Sequence, residues 1–386
     1  MQDKMKTEAI VADASAAPIE GQFAPVYKVL TDAIAARAFP GCAFGFLADG
    51  KVVLQDALGR STYDSDAFEV AAETVYDIAS ITKVLATTAS AMLLVQRGVL
   101  ELDTPLGELL PGFVVGRAPE ERAREVTVRH LLAHNSGLPG YVELFRAATT
   151  PDSLLRACLQ VPIEAEPGTR VEYSDLGFIL LGKALEVLTR ESLATWSQRE
   201  VFDPLQLADT GFNPAPGARP HIPPTEDDTT LRLRRIQGEV QDENACVLRG
   251  VAGHAGVFSN VPDLLRFAGA ILGAGRSSGN EDALIQPIFS KPIVEQFARR
   301  QGPGDSSRAL GWDTPSENSS AGHYFSGHSI GHLGYSGCSL WIDLEAEIAV
   351  VLLTNRTWPD RSSHLIREVR PAFHDAIRDA LGSIEK

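Results

Sequence analysis

The stretch HSIGHLGYSGCSLWIDLEAEIAVVLLTN, residues 328–355, alternates apolar and polar side chains and then turns continuously apolar. Alternation is the period of a strand with one covered face, and an unbroken Ile/Val/Leu run suits a strand covered on both. The stretch therefore reads as strand, turn, strand, strand, with Leu344-Glu345-Ala346-Glu347 as the last turn. Near the other end of the chain, residues 41–59, GCAFGFLADGKVVLQDALG, read as two more strands. Asp49-Gly50 joins them, a dipeptide suited to the tight turn of a hairpin.

Between these ends, residues from about 100 to 275 read as mostly helical, broken by Pro and Gly loops such as PGARPHIPPTEDD at 216–228. Residues 24–38 space Val26, Val29, Leu30 and Ile34 as a helix does, and a terminal helix with a kink at Pro371 closes the chain. The expected fold class is α/β in the α+β sense: one antiparallel sheet flanked by terminal helices, with an inserted all-helical lobe. Residues 1–23 are expected to be disordered. Residues 24–386 are expected to form one domain, with a sheet part at about 24–75 and 300–386 and the lobe at about 76–299. A cleft between sheet and lobe is the default place for a site.

With 44% hydrophobic and 22% charged residues in 386, the composition is that of a globular protein. A formal charge of -15 argues against nucleic acid, whose phosphates it would repel. No run approaches the roughly 20 apolar residues of a membrane span. The N-terminal residues lack the apolar core of a secretory signal, so a cytoplasmic location is expected unless a leader was removed. Cys42, Cys158, Cys246 and Cys338 lie far apart among apolar or small residues and read as buried free thiols.

The chemistry centres on YDIASITKVLATTASAMLLVQRG, residues 76–98. Lys83 is the only ionisable residue between Ile78 and Val95, in a segment apolar on every face, and so must be paired or neutral. Ser80 stands one turn before it. A serine opening a buried helix can use free backbone N–H groups to stabilise an oxyanion, and a lysine of depressed pKa can take its proton. The alternative is a cap and a snorkelling lysine. A second Ser-x-x-Lys at 383–386 sits in a tail where no site is plausible.

Tyr173-Ser174-Asp175 precedes an apolar helix. Tyr173 can accept a proton beside a cation, or the segment can be a plain helix start capped by Ser174 or Asp175. His332-Leu333-Gly334 lies on a strand entering the sheet, where a glycine would let a substrate approach closely. Its rival, His254-Ala255-Gly256, reads as loop structure or pocket wall. His130 and His134 are spaced like a zinc pair, but Leu131 stands where a zincin has Glu, and a helix terminus capped by Gly137 explains them better. His323, His328 and His332 fall across loop and strand and are not expected to bind metal. Asp242-Glu243-Asn244 reads as a solvated turn.

Taken in order, Ser-x-x-Lys, Tyr-x-Asp and His-x-Gly resemble the serine β-lactamase and penicillin-binding protein superfamily, in its class C, DD-peptidase and esterase branch. TVRHLLAHNSGLPGY, FDPLQLADTGF and RGVAGHAGVFS are similar to that branch too, so the likeness spans roughly residues 25–380. It implies Ser80 as nucleophile, Lys83 as its activating partner, and Tyr173 as general base and then acid. It further implies His332 in the third motif and an oxyanion hole from the N–H groups of Ser80 and Tyr335, the latter just after Gly334. No cofactor or metal is implied.

Asp175, where the family often has Asn, is expected to pair with Lys83 and raise its pKa, leaving proton removal more to Tyr173. His332, in place of the commoner lysine, can be neutral at pH 7 and would attract a carboxylate less reliably. The expected function is a metal-free serine hydrolase acting on esters or small amides. The alternatives are a D-alanyl-D-alanine carboxypeptidase or weak β-lactamase, and a non-catalytic protein that binds peptide or cell-wall fragments. Substrates are small molecules, with neither nucleic acid nor membrane as partner.

Overall fold

The computed structural model describes residues 21–274 and 288–382. Most of the expected N-terminal disorder and the second Ser-x-x-Lys therefore lie outside the described residues. One five-stranded sheet organises the rest: β1 (Gly41–Ala48), β2 (Lys51–Gly59), β3 (Ser329–Leu333), β4 (Ser339–Asp343) and β5 (Ile348–Thr354). The spatial order is β2-β1-β5-β4-β3, every neighbouring pair antiparallel. Asp49 and Gly50 both adopt positive φ, 50° and 76°, as a two-residue hairpin turn requires.

Both faces of the sheet are covered, which is why β5 is apolar throughout. Phe44, Phe46, Val350 and Leu352 face the terminal helices Ala24–Ala35 and Ile366–Gly382, where Phe44 meets the rings of Tyr27 and Phe373. The intervening residues Ala43, Leu47, Val351 and Leu353 face the helix Val261–Leu272 through Val261, Leu264 and Leu265. Period-two alternation along one strand thus feeds two cores, each large buried side chain contributing roughly 1.5–3 kcal/mol. Gly45 sets the close helix approach, since a Cβ there would lie 2.7 Å from Val261 Cγ1. The terminal helix continues past Pro371 to Gly382.

The middle of the chain is helical as expected, with two additions. Tyr76–Asp77, Gly211–Phe212 and Val257–Ser259 form a three-stranded sheet, and Glu226–Asp228 pairs with Arg234–Ile236. The proline-rich loop thus ends in a strand whose Glu226 and Asp228 are buried, held by Arg361 and Arg232. The helix Val261–Leu272, expected in the lobe, packs on the sheet instead.

The segment Ala79–Gln96 is apolar and long enough to cross a membrane, yet 83% of it is buried inside the protein. It opens as a tight 3-10 turn (Ala79–Ile81), widens to a π-helical stretch (Lys83–Thr88) and ends as α-helix (Ala89–Gln96). Uniform apolarity does not distinguish these windings, so the sequence suggests only a plain helix. Thr82 Oγ1 accepts from the Val257 N–H at 3.0 Å and Thr87 Oγ1 donates to Gly253 O at 2.7 Å, tying the segment to the 250–259 loop.

Candidate active site

Ser80 is delivered by a strained approach. The preceding residue, Ala79, has φ of 47°, a left-handed conformation that costs a non-glycine residue about 1 kcal/mol or more. Asp77 holds it there: one carboxylate oxygen accepts from the Ala79 N–H at 2.8 Å and the other from the Gln241 N–H at 2.7 Å. Burial nonetheless raises the Asp77 pKa to about 6.

Lys83 is fully buried, and its Nζ lies 3.0 Å from Ser80 Oγ, 2.6 Å from Asp175 Oδ1 and 3.4 Å from His254 O. Burial pulls its pKa down, but Asp175 and then Tyr173 push it up more strongly, so the net direction is upward. The pairing expected from Asp175 is present. The alternative of a depressed lysine acting as base is not what this environment produces. An apolar helix tolerates the charge because a carboxylate meets it from another element.

Tyr173 and Asp175 come from one helix start. Ser174 is the N-cap of the helix Asp175–Thr189, its Oγ accepting from the Gly177 N–H at 3.1 Å and donating to Pro139 O at 2.7 Å. The plain capping role and the site role therefore coexist, on adjacent side chains. Burial raises the Tyr173 pKa and the nearby Lys83 ammonium offsets only part of this, so the net direction is upward. The Lys83 ammonium also sits 4.7 Å from the centroid of the Tyr173 ring.

His134 is a residue that the spacing argument placed in a helix end and no further. The helix Val128–Leu132 stops earlier, and His134 itself takes the left-handed position at φ 56°. Its buried ring lies 4.6 Å from Tyr173 and 5.0 Å from Phe178, and its Nδ1 accepts from the Ser174 N–H at 3.0 Å. His130 caps its own helix through Thr127, so the two do not converge.

His332 on β3 is buried, with its ring centroid 5.9 Å from that of Tyr173. Nδ1–H donates to Leu333 O at 2.8 Å, which leaves Nε2 as a lone-pair acceptor with no partner among the described residues. Burial, Lys83 and Arg308 push its pKa well below the usual range, so it is neutral at pH 7. His328 and His323 bond Glu345 and Asp375 instead, and no group of three or more His, Cys, Asp or Glu side chains converges among the described residues. Cys42, Cys158 and Cys338 are buried and free, and Cys246 is free and partly exposed.

Gly334 and Tyr335 follow on the turn to β4. Gly334 lines the cleft, and its missing side chain also has a packing role: a Cβ there would lie 2.4 Å from Ile78 O. The glycine lets the turn dock against the nucleophile segment, where Ser336 Oγ also donates to Asp77 O at 2.7 Å. The Tyr335 N–H has no acceptor among the described residues.

Asp242-Glu243-Asn244 is not a solvated turn. Asp242 Oδ1 accepts from the Ala245 N–H and lies 2.8 Å from His254 Nε2, Glu243 pairs with Arg361, and buried Asn244 bonds Val142 O and the Phe145 N–H. Their partners come from distant segments, which a local polarity reading cannot see. Ser80, Tyr173, Asp175, His332, Gly334 and Tyr335 all line one cleft of about 630 Å³, and Lys83 lies beneath it. Arg308 also lines the cleft, its guanidinium 5.0 Å from the Tyr173 ring centroid and 3.8 Å from Asp313.

A serine, a lysine and a tyrosine gathered between an antiparallel sheet and a helical lobe define a serine-hydrolase type of site. The chain belongs to the beta-lactamase family, whose family model matches residues 26–370. It is 29% identical over 353 residues to "N-acetylmuramyl-L-alanine amidase" of Bacillus subtilis (strain 168), covering 83% of this chain and 78% of that protein. It is 28% identical over 350 residues to "Putative D-alanyl-D-alanine carboxypeptidase" of Salmonella typhi, covering 82% and 79%. Among solved structures it is similar in fold to "EstCE1, a hydrolase with promiscuous acyltransferase activity", with a TM-score of 0.71 at 22% identity over 92% of this chain and 98% of that one.

Proposed function

We propose that this protein hydrolyses carboxylic esters or small amides through an acyl-enzyme on Ser80. The observation that carries the reading is Lys83 Nζ at 3.0 Å from Ser80 Oγ and 4.7 Å from the centroid of the Tyr173 ring. Tyr173 rests as a phenol, and its minor phenolate form, stabilised by the Lys83 ammonium, takes the Ser80 proton as Oγ attacks the carbonyl carbon. The N–H groups of Ser80 and Tyr335 receive the developing oxyanion. Tyr173 returns the proton to the departing alcohol or amine, and water repeats the sequence to release the acid.

The test is a substrate panel of p-nitrophenyl esters, D-Ala-D-Ala peptides and nitrocefin, with fluorophosphonate labelling of wild type and Ser80→Ala. Covalent labelling that depends on Ser80 supports the enzyme over a non-catalytic binding protein. Turnover of nitrocefin as fast as that of simple esters would contradict the preference stated here, since neutral His332 is a poor anchor for a carboxylate.

A second reading, D-alanyl-D-alanine carboxypeptidase, is favoured by Arg308. This guanidinium lines the cleft beside Tyr173, and its nearest carboxylate among the described residues, Asp313, lies 3.8 Å away, beyond hydrogen-bond reach. It offers a cation for a substrate carboxylate where His332 does not.

A further inference from the structure

The turn Gly334–Cys338 is closed by its own backbone, Gly337 N–H donating to Gly334 O at 3.0 Å and Gly334 N–H to Cys338 O at 2.7 Å, and two cations from outside the β3–β4 connection brace it. Arg370, on the terminal helix, donates through Nη2 to Gly334 O at 2.6 Å and Cys338 O at 2.8 Å, and through Nε to Gly337 O at 3.3 Å. Arg356, just past β5, donates through Nε to Tyr335 O at 2.8 Å, and its guanidinium lies 4.3 Å from the Tyr335 ring centroid. The backbone N–H of Arg356 takes the remaining carbonyl, Ser336 O, at 2.8 Å. Every carbonyl of the turn is thereby committed.

The commitment has a direction. In a trans peptide the C=O of one residue and the N–H of the next point opposite ways. With Gly334 C=O held by Arg370 and by the Gly337 N–H at 3.0 Å, the Tyr335 N–H points the opposite way within that plane, away from Arg370. That N–H is the one without an acceptor among the described residues.

Charge is the second observation. Arg356 and Arg370 are only 6% and 7% exposed, and neither has a carboxylate partner among the described residues. Burial lowers the pKa of Arg370 to about 10, so it stays charged at neutral pH. A neutral donor would satisfy these carbonyls at less desolvation cost. What guanidinium groups add is an uncancelled positive field in a low-dielectric place.

We propose that Arg370 and Arg356 are positioning residues of the oxyanion hole: Arg370, with the turn's own backbone, aims the Tyr335 N–H through the Gly334–Tyr335 peptide plane, and both place positive charge without a carboxylate partner at the cleft wall beside that donor. This rests on the acyl-enzyme reading above. It adds to that reading the origin of the hole's orientation and field.

The experiment uses full-length Arg370→Met, Arg370→Lys and Arg356→Gln, with p-nitrophenyl acetate as substrate and phenylboronic acid as the tetrahedral Ser80 adduct. Thermal melts report folding. Arg370→Met is expected to lower kcat/KM by roughly 100-fold, as loss of an oxyanion donor does, with KM nearly unchanged. Boronate affinity should fall by the same factor, Arg370→Lys should recover part of both, and Arg356→Gln should lose roughly 10-fold in each.

A merely structural role would not move boronate affinity and kcat/KM in step while sparing KM. Folded variants that keep wild-type boronate affinity overturn the proposal. If Arg370→Met does not fold, Arg356→Gln decides alone by the same criterion. Failure of the underlying hydrolase reading is visible separately, in wild type and Ser80→Ala, as labelling that ignores Ser80, and it takes this proposal with it.

Discussion

Lys83 Nζ and Asp175 Oδ1 meet at 2.6 Å across 92 residues of sequence, one fully buried and the other at the edge of the cleft. In the proposed mechanism this pair governs how the site handles protons. A lysine held as ammonium cannot be the resting base, but it can stabilise a phenolate beside it.

Asp175→Asn should move the alkaline limb of kcat/KM toward neutral pH. Asp175 raises the pKa of both Lys83 and Tyr173, so its removal lowers both, and burial then acts on Lys83 with less opposition. The measurement is a pH–rate profile on p-nitrophenyl acetate, corrected for spontaneous hydrolysis. A limb that stays in place sinks the pairing as a functional feature.

Ser80→Ala should abolish fluorophosphonate labelling and lower ester turnover by at least about 1000-fold. Tyr173→Phe should lower kcat by roughly 100- to 10,000-fold while leaving the serine labelled slowly by the same reagent. Equal labelling of wild type and Ser80→Ala, read by intact-mass spectrometry, would refute the nucleophile assignment.

Arg308→Gln separates the two substrate readings. If the cleft takes a substrate carboxylate, KM for a D-Ala-D-Ala peptide should rise about 10-fold, equivalent to about 1.4 kcal/mol, and by more than KM for a neutral ester. A proportionate rise for both substrates would leave Arg308 without a role in specificity.

His374 gives a stability test away from the site. It is buried between Ser320 O and Ser339 Oγ, and burial lowers its pKa from 6.5 to about 4. Its folded value lies below its unfolded one, so its stabilisation is present above pH 6.5 and is lost as pH falls toward 4. The whole effect is at most about 3 kcal/mol. Denaturant melts from pH 7 to 4 should therefore show a shallower pH dependence for His374→Asn than for wild type.

Much of the fold was legible because it rests on local periodicity. β1 and β2 with their Asp49-Gly50 turn, and β3 to β5 with the Leu344–Glu347 turn, follow from alternation and turn chemistry alone. Ser80, Lys83, Tyr173, Asp175 and His332 could be picked out because each breaks its surroundings: a cation in an apolar helix, a polar triplet before one, a histidine on a strand. Arg370 left a fainter mark. It occupies the apolar stripe of the terminal helix with Ile366, Phe373 and Ile377, and a cation on such a stripe must find buried partners.

The sequence by itself determined which segments are strands and helices, and which residue types are costly enough where they stand to need a reason. Only the tertiary structure decided which of those costs are met together. It brought Asp175 to Lys83, Asp242 to His254, His134 beneath Tyr173, and two arginines beside Tyr335. The physical reason is range: propensity and burial act through neighbours along the chain, whereas hydrogen bonds and charge act through a few ångströms of space that only folding creates.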